Sequence, residues 1–324
     1  MNKFITLFVI LFCVAITKAS IDTTTTVVGD SGNESYGIGI WNNGTSVNIG
    51  LVGYYFSTSA IQQLVIPNSY LPVNNYQPST YNYATKVLTL VVADTSYNIL
   101  VIYFIDCGAW KVISEAPAPS VIVGGLASTQ SSNNIVMASY LLNNPVYQGS
   151  FFNTFIYPNG QITSAGLVQG AYRGSVFSPL SQNYYLAFKN QTGLFIKSYD
   201  LNFHQTGEQR FSFANNQYPV LDLPMSMSFN PYNQGIMVNV AMTDSSNNLV
   251  YAIGYIDWNS RSIVCSNMLG YSTEQFLATA PLLNTAYAYT AAYENGVYSL
   301  YQWNTYASTF MTYRHYYTPL LSIF

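Results

Sequence analysis

Hydrophobic and polar positions along this chain repeat in one three-part pattern from Thr23 to Arg314. Each copy has an apolar strand, a polar turn rich in Asn, Asp, Gly or Ser, and a second apolar strand, after which another turn leads to a third strand. Two clear copies begin at 87–93 and 233–242 and continue through the turns 94–98 and 244–248. Such turn residues supply the backbone conformations that tight hairpins need. The pattern therefore predicts an all-β chain of repeated antiparallel units.

The spacing of the copies favours a six-bladed β-propeller. The middle strands end about fifty residues apart, which is the size of a four-stranded blade. Nothing precedes the first copy that could be its innermost strand, so we expect the C-terminal segment 318–324 to complete that blade and close the ring. Five or seven blades, or a β-sandwich, are the alternatives. The middle strands end at 41–42, 105–106, 157–158, 199–200, 256–257 and 302–303, and the innermost strands of the later copies are expected at 60–66, 120–127, 174–179, 222–229 and 275–280.

The first copy is expected to open with a strand at 23–28. Residues 68–83 then form an insertion between the first two copies, rich in Tyr, Pro and Asn. Loops of this kind often carry binding residues, and tyrosine offers a large contact area at low entropic cost. The candidate ligand-binding residues are therefore Tyr70, Tyr76, Tyr81 and Tyr83. A surface insertion without a role is the alternative.

The N-terminus has the form of a secretory signal peptide. A positive start, an apolar run and small residues at the exit place its end at Ala19, which leaves one propeller domain at 20–324. The apolar run is too short to span a bilayer, and no later segment is long enough, so we expect a secreted protein without a membrane span. Three sequons fit that route, with acceptors at Asn33, Asn43 and Asn190 in expected hairpin turns. The sequence therefore predicts a glycoprotein.

Charged residues are scarce, at 7% of the chain. Lys3 and Lys18 lie in the signal segment. Without them the chain has thirteen acidic side chains and only eight basic ones. Nucleic acid binding depends on clustered Lys and Arg, so this partner is excluded.

Two cysteines remain outside the signal segment, Cys107 and Cys265. The pattern places Cys107 at the end of the third strand of blade two and Cys265 on the outer strand of blade five. Those blades lie opposite each other in a six-fold ring, far beyond disulfide reach. We therefore expect two separate thiols, either buried or pairing between molecules.

No catalytic, metal or cofactor motif is present. The chain lacks a nucleophile elbow, a zinc-protease motif, a phosphate loop and zinc-spaced cysteines, and we expect His204 and His315 to be surface or packing residues. Asp106, Asp200 and Asp257 recur where a strand ends, which predicts turn residues whose carboxylates accept backbone N–H groups. We therefore predict no catalytic residue, no metal site and no cofactor.

Secretion, a repeat scaffold and few ionisable groups predict a non-enzymatic extracellular glycoprotein that binds a protein or carbohydrate partner in cell recognition or adhesion. One alternative is a secreted hydrolase that uses the channel, with Asp222 as its best acid. Another is a coat protein cross-linked through tyrosine. The sequence does not indicate an oligomeric state.

Overall fold

The computed structural model describes residues 36–53, 60–71, 77–97, 99–118, 123–141, 149–214, 218–221, 223, 225–269, 275–281, 286–294, 297–304, 309–316 and 320–323. These residues form twenty-six strands. No helix among them is long and apolar enough to cross a membrane. Four features identified in the sequence lie outside the described residues: the strand expected at 23–28, Asn33, Tyr76 and Asp222.

The strands follow one another in groups that correspond to blades. The first group is β1 (Tyr36–Asn43), β2 (Ser46–Gly53) and β3 (Ala60–Pro67). The second is β4 (Ser69–Tyr70), β5 (Ser79–Asn82), β6 (Val87–Asp94), β7 (Ile99–Asp106) and β8 (Lys111–Pro117). The third is β9 (Val123–Ser128), β10 (Val136–Leu141), β11 (Ser150–Ile156) and β12 (Ile162–Gln169). The fourth is β13 (Ala171–Ser178), β14 (Asn183–Asn190), β15 (Gly193–Tyr199) and β16 (Gln205–Phe213).

The remaining strands form the last two groups and the C-terminal strand. The fifth group is β17 (Tyr218–Pro219), β18 (Ser226–Asn230), β19 (Gly235–Thr243), β20 (Leu249–Asp257) and β21 (Ser262–Leu269). The sixth is β22 (Gln275–Pro281), β23 (Tyr287–Glu294), β24 (Val297–Asn304) and β25 (Thr309–Tyr316). The last strand, β26 (Leu320–Ile323), pairs antiparallel with β1.

The strands pair antiparallel within each of the six blades, and one parallel pairing, between β16 and β21, joins blades four and five into a nine-stranded sheet, so five sheets result. The architecture is the expected six-bladed β-propeller. The first sheet has the order β26-β1-β2-β3, so the C-terminus supplies the innermost strand of blade one. Strand β26 also contacts β22 and β23 of blade six. The expected closure by the C-terminal segment is therefore confirmed.

The strand assignment within blade one was wrong by one strand. Trp41 and Asn42 lie near the end of β1, which is the second strand of the blade and not the third. Consequently the stretch 60–66, expected as the innermost strand of blade two, is the outermost strand of blade one. The shift arises because the true innermost strand comes from the far end of the chain, so the first strand of the ring in sequence is already a second strand.

The segment 68–83 is not a surface insertion. It supplies both pieces of the innermost strand of blade two, since β4 and β5 each pair with the same edge of β6. The innermost strand of blade five is divided in the same way, because β17 and β18 both pair with β19. In both blades, therefore, the inner strand is interrupted and no separate loop is added before the blade.

The blades give the ring two distinct faces. The turns that follow the innermost strands, at 83–86, 129–135, 179–182 and 231–234, lie on one face together with the turns before the outermost strands. We call this the mouth face. The hairpins between the second and third strands, such as 44–45, 191–192 and 244–248, lie on the opposite face, which we call the hairpin face. In each of the six blades a β-bulge interrupts the pairing between the third strand and the outermost strand. Such a bulge increases the local twist of the sheet.

Hydrophobic side chains fill the spaces between neighbouring blades. Strand β6 illustrates this, because Leu88 and Leu90 pack towards blade one while Val87 and Val91 pack towards blade three. Alternate side chains of a strand point to opposite faces of its sheet. Both faces of a blade are therefore apolar, which explains the nearly continuous hydrophobic runs of the second strands.

The two cysteines are separate and buried, as expected. Cys107 packs in the core between blades one and two, and Cys265 packs in the core between blades four and five. Burial raises the pKa of each thiol to about 12. The thiolate, which is the reactive form, is thus scarce at neutral pH.

Removing residues 318–324 should destabilise the whole ring, because β1 and blade six lose the strand that lies between them. We expect the free energy of unfolding, measured by urea titration, to fall by about 3 kcal/mol or more. A variant with the same seven residues in scrambled order is the control for chain length. A truncated protein as stable as the full chain would contradict closure by this strand.

Both thiols should resist alkylation in the folded protein and react once it is unfolded. In protein expressed without the signal segment, mass spectrometry after iodoacetamide treatment at pH 7.5 should detect no modification in buffer. In urea without reductant it should detect two modified cysteines. Failure to label in urea would reveal a disulfide, and a Cys107–Cys265 bond within one molecule would contradict the ring geometry.

Candidate functional site at the mouth of the channel

A cavity of about 340 Å³ opens where the innermost strands of blades two to five end. Its deeper wall contains Val176, Phe177 and Met227, all buried, and its outer wall contains the half-buried Tyr83 and Phe229. The complete lining is Gln77, Thr80, Tyr81, Tyr83, Ala84, Ala127, Ser128, Gln130, Ser175, Val176, Phe177, Pro179, Met227, Ser228, Phe229 and Pro231. The cavity is thus built by one end of the central channel.

Gln77 ties three blades together beside this cavity. Its backbone pairs with blade three, donating N–H to the Gly124 oxygen at 3.3 Å and accepting from the Leu126 N–H at 3.0 Å. Its side-chain Nε2 donates to the backbone oxygen of Met227 in blade five at 3.3 Å. Because blades two and five are opposite each other, this residue lies across the channel.

Gln130 joins blades two and three along the cavity wall. Its Nε2 donates to the backbone oxygen of Tyr81 at 2.8 Å, and its Oε1 accepts from the backbone N–H of Tyr83 at 2.8 Å. One side-chain amide therefore satisfies two backbone groups of the neighbouring blade, as the backbone of a paired strand residue would. The Thr80 and Ser128 hydroxyls form a further link at 3.2 Å.

Two glycines allow the next pair of blades to approach closely. Tyr172 of blade four is buried against Gly124 and Gly125 of blade three, and a Cβ at Gly125 would come within 1.8 Å of the tyrosine oxygen. The Tyr172 hydroxyl instead forms a hydrogen bond with the cavity-lining Ser175 at 3.0 Å. Position 125 therefore requires glycine, because the Tyr172 side chain leaves no room for a Cβ.

The cavity lining is uncharged at neutral pH. It contains no Asp, Glu, Lys, Arg or His side chain. Burial raises the pKa of both Tyr81 and Tyr83 well above the usual value of tyrosine, so both phenols keep their protons. The amide of Gln130 and the hydroxyls of Thr80, Ser128 and Ser175 already have protein partners. The surface left for a ligand is therefore mostly apolar.

The four candidate tyrosines are not brought together. Tyr81 and Tyr83 line the cavity, with their rings 5.0 Å apart in an edge-to-face arrangement. Tyr70 is half exposed at the start of the interrupted inner strand, which is at the hairpin face. Tyr76 lies outside the described residues. A role for Tyr81 and Tyr83 in binding stays a prediction, and no binding surface joins them to Tyr70.

Three exposed side chains of the mouth face are not apparent from the sequence. Leu180 and Tyr232 lie in the turns after the innermost strands of blades four and five and are 62% and 52% exposed. Trp258 lies in the turn before the outermost strand of blade five, with its ring 4.7 Å from that of Tyr185. A weak signal exists, since Pro179-Leu180 and Pro231-Tyr232 occupy equivalent turns, where an exposed apolar residue has no packing role.

The predicted sequons face away from this cavity. Asn43 and Asn190 lie at the hairpins between the second and third strands of blades one and four, on the hairpin face. The Asn190 Oδ1 accepts hydrogen bonds from the Thr192 N–H at 2.8 Å and the Thr192 hydroxyl at 2.7 Å. Asn33 lies outside the described residues. Glycosylation at all three stays a prediction.

The recurring acids are turn residues, as the sequence predicts. Asp106 accepts from the N–H groups of Gly108 and Ala109, and Asp200 accepts from those of Asn202 and His204. Asp257 behaves in the same way, and a hydrogen bond from the Ser260 hydroxyl is the main reason that its pKa is lowered. Among the described residues no three His, Cys, Asp or Glu side chains cluster as a metal site would require.

Comparison with solved structures identifies β-propellers similar to this chain. A chain in the crystal structure of a nidogen/laminin complex has a TM-score of 0.55 and 12% identity, covering 89% of this chain and 97% of that one. TolB from Acinetobacter baumannii has a TM-score of 0.60 and 13% identity, covering 95% of this chain and 72% of that one. Similarity at this level of identity shows the fold alone. No family model matches the chain, and no curated protein matches it.

Replacing Gln130 should weaken the joint between blades two and three. We expect Gln130→Ala to lower the free energy of unfolding by about 2 kcal/mol, because two partly buried backbone groups lose their partner. Gln130→Glu should cost at least as much at neutral pH, since a carboxylate cannot donate to the Tyr81 oxygen. The exposed Gln209 on β16 is the control, and Gln209→Ala should change urea stability by less than about 0.5 kcal/mol. Equal effects at the two positions would contradict this role.

Proposed function

We propose that this protein is a secreted, non-enzymatic glycoprotein that binds another extracellular protein through its mouth face. The observation that carries the proposal is the uncharged, largely apolar cavity, flanked by the exposed Leu180 and Tyr232, which follow the lining residues Pro179 and Pro231. Protein interfaces concentrate their binding energy in apolar or aromatic anchors that fill such pockets, surrounded by a rim that excludes water. The proposed role in cell recognition or adhesion follows from this mode of binding.

The chemistry of the cavity favours a protein over a carbohydrate. A sugar offers many hydroxyl groups, and each must find a hydrogen-bond partner when it leaves water. Most polar groups in the lining are engaged with protein atoms, so they offer few such partners. An aliphatic or aromatic side chain from a partner loop has no such requirement. The volume of about 340 Å³ is at the lower end for small-molecule pockets and suits such side chains.

Two further observations support the proposal. Glycans on Asn43 and Asn190 would project from the hairpin face and would leave the mouth face open. One similar propeller chain was crystallised in a complex of two proteins, nidogen and laminin. An expected leader at 1–19 would deliver the chain to the secretory pathway, where such glycans are added.

A paired replacement at the mouth face tests the proposal. Leu180→Ser combined with Tyr232→Ser should weaken binding to the surface or matrix of the source cells at least tenfold, which corresponds to about 1.4 kcal/mol. The matched control is Tyr97→Ser, because Tyr97 is 76% exposed but lies on the hairpin face. Binding is measured by titrating labelled protein, and a thermal unfolding curve verifies that each variant is folded.

The outcomes separate the possible partners. Loss of binding after the cells are treated with protease, but not after their glycans are removed, identifies a protein partner. The reverse result would replace the protein with a carbohydrate. Unchanged binding by the double variant, or an equal loss with Tyr97→Ser, would contradict a role for the mouth face.

A further inference from the structure

A second concave site lies between the outer strands of blades four and five. Strand β16 continues past its own blade and pairs in parallel with β21, at Ser212 with Ser262 and at Phe213 with Ile263. The Ser212 N–H donates to the Arg261 oxygen at 3.2 Å, which fixes this crossing. Beside it is a cleft of about 430 Å³. It is separate from the mouth cavity and shares no lining residue with it.

Two arginines line this cleft in a chain that has few basic residues. Arg210 and Arg261 are both exposed, and within the described part of the chain neither guanidinium has an ion-pair partner. The neighbouring carboxylates are already engaged. Glu208 forms an ion pair with Lys197 at 3.2 Å, and Asp257 accepts hydrogen bonds from Asn259 and Ser260 of its own turn. The lining of the cleft contains both arginines and no acidic side chain, so the lining carries net positive charge.

The position of Arg210 depends on a glycine. A Cβ at Gly193 would lie 3.0 Å from the Arg210 Nε, so the guanidinium stem lies over the Gly193 backbone. The backbone φ of Gly193 is +140°, a conformation that other residues rarely adopt. A larger residue at 193 would crowd the Arg210 guanidinium and would also strain the backbone.

The rest of the cleft is apolar. Leu194 is buried, and Phe213, Pro219 and Leu221 are half-buried, so they present hydrocarbon surface next to the two charges. The planar guanidinium of an arginine binds carboxylate or sulfate oxygens in pairs. The apolar surface beside the arginines would stabilise the complex further, because an apolar group of the same ligand would be buried against it.

We propose that this cleft binds an amphipathic anion, in which a carboxylate or sulfate is attached to an aromatic or aliphatic group. The anion contacts Arg210 and Arg261, and the apolar group lies on Phe213, Pro219 and Leu221. The C-terminal residue of a peptide and a free aromatic or acyl acid share this chemistry. The site goes beyond the mouth-face function and does not depend on it.

N-acetyl-phenylalanine and its uncharged amide form a matched pair of probes. Isothermal titration calorimetry at low ionic strength should detect the acid with an affinity at least tenfold higher than that of the amide. Arg210→Gln and Arg261→Gln should each weaken binding of the acid at least fivefold. Lys111→Gln is the control, because Lys111 is an exposed basic residue on the outer strand of blade two. It removes the same charge and should leave binding unchanged.

Further probes identify the natural source of the anion. Tighter binding of a dipeptide ending in phenylalanine than of phenylpropionate indicates a peptide C-terminus, and the opposite order indicates a free acid. Phenyl sulfate compares the two kinds of anion. Equal affinity for the acid and the amide, or equal losses in all three variants, would overturn the proposal. Thermal unfolding curves show whether each variant is folded. Neither outcome tests binding at the mouth face, which is a separate proposal.

Discussion

The antiparallel pairing of β26 with β1 is the interaction on which the rest of the ring depends. Each blade is apolar on both faces, so a blade is stable only between two neighbours. A linear row of blades would leave the first and last of them with an apolar face in water and an open strand edge. Strand β26 removes both defects, because it pairs with β1 and also contacts β22 and β23 of blade six. The two ends of the chain therefore hold one blade together.

Local features of the fold could be predicted from the sequence because each depends on a few consecutive residues. The apolar runs of β6 and β19 identify buried strands directly. The carboxylates of Asp106, Asp200 and Asp257 bind N–H groups only two to four residues away, so their role depends on no distant contact. Closure of the ring could also be predicted from the sequence, because the strand-like segment 318–324 fits no other blade.

The errors arose where pairing is not local. The Ala60–Pro67 strand has the same composition whether it opens one blade or ends another, and only its pairing with β2 decides. The inner strand of blade two is divided into β4 and β5, and its prolines and asparagines have the composition of a loop. That composition predicts Tyr81 and Tyr83 as loop residues, although Tyr81 is only 7% exposed. The exposed positions of Leu180 and Tyr232 follow from the ring and not from their own segments.

The mouth cavity depends on a contact that no local pattern could reveal. Gln77 and Met227 are 150 residues apart in sequence, and they meet because the interrupted inner strands of blades two and five lie opposite each other. A regular inner strand would pair along its whole length and send no side chain across the channel. The interruption lets the Gln77 backbone leave β6 and pair with blade three, which brings its side chain to blade five.

The same physical reason explains why both candidate sites lie where the repeat is broken. A regular blade satisfies its own backbone groups and buries its own apolar side chains, so it leaves little free energy for a ligand to gain. The divided inner strands create an uncharged cavity, and the parallel crossing of β16 onto β21 creates a cleft with two arginines. The two sites differ in charge because the channel excludes water from its walls, whereas the outer rim leaves guanidinium groups hydrated. Irregular pairing therefore determines where a ligand can bind, and local solvation determines which kind of ligand fits.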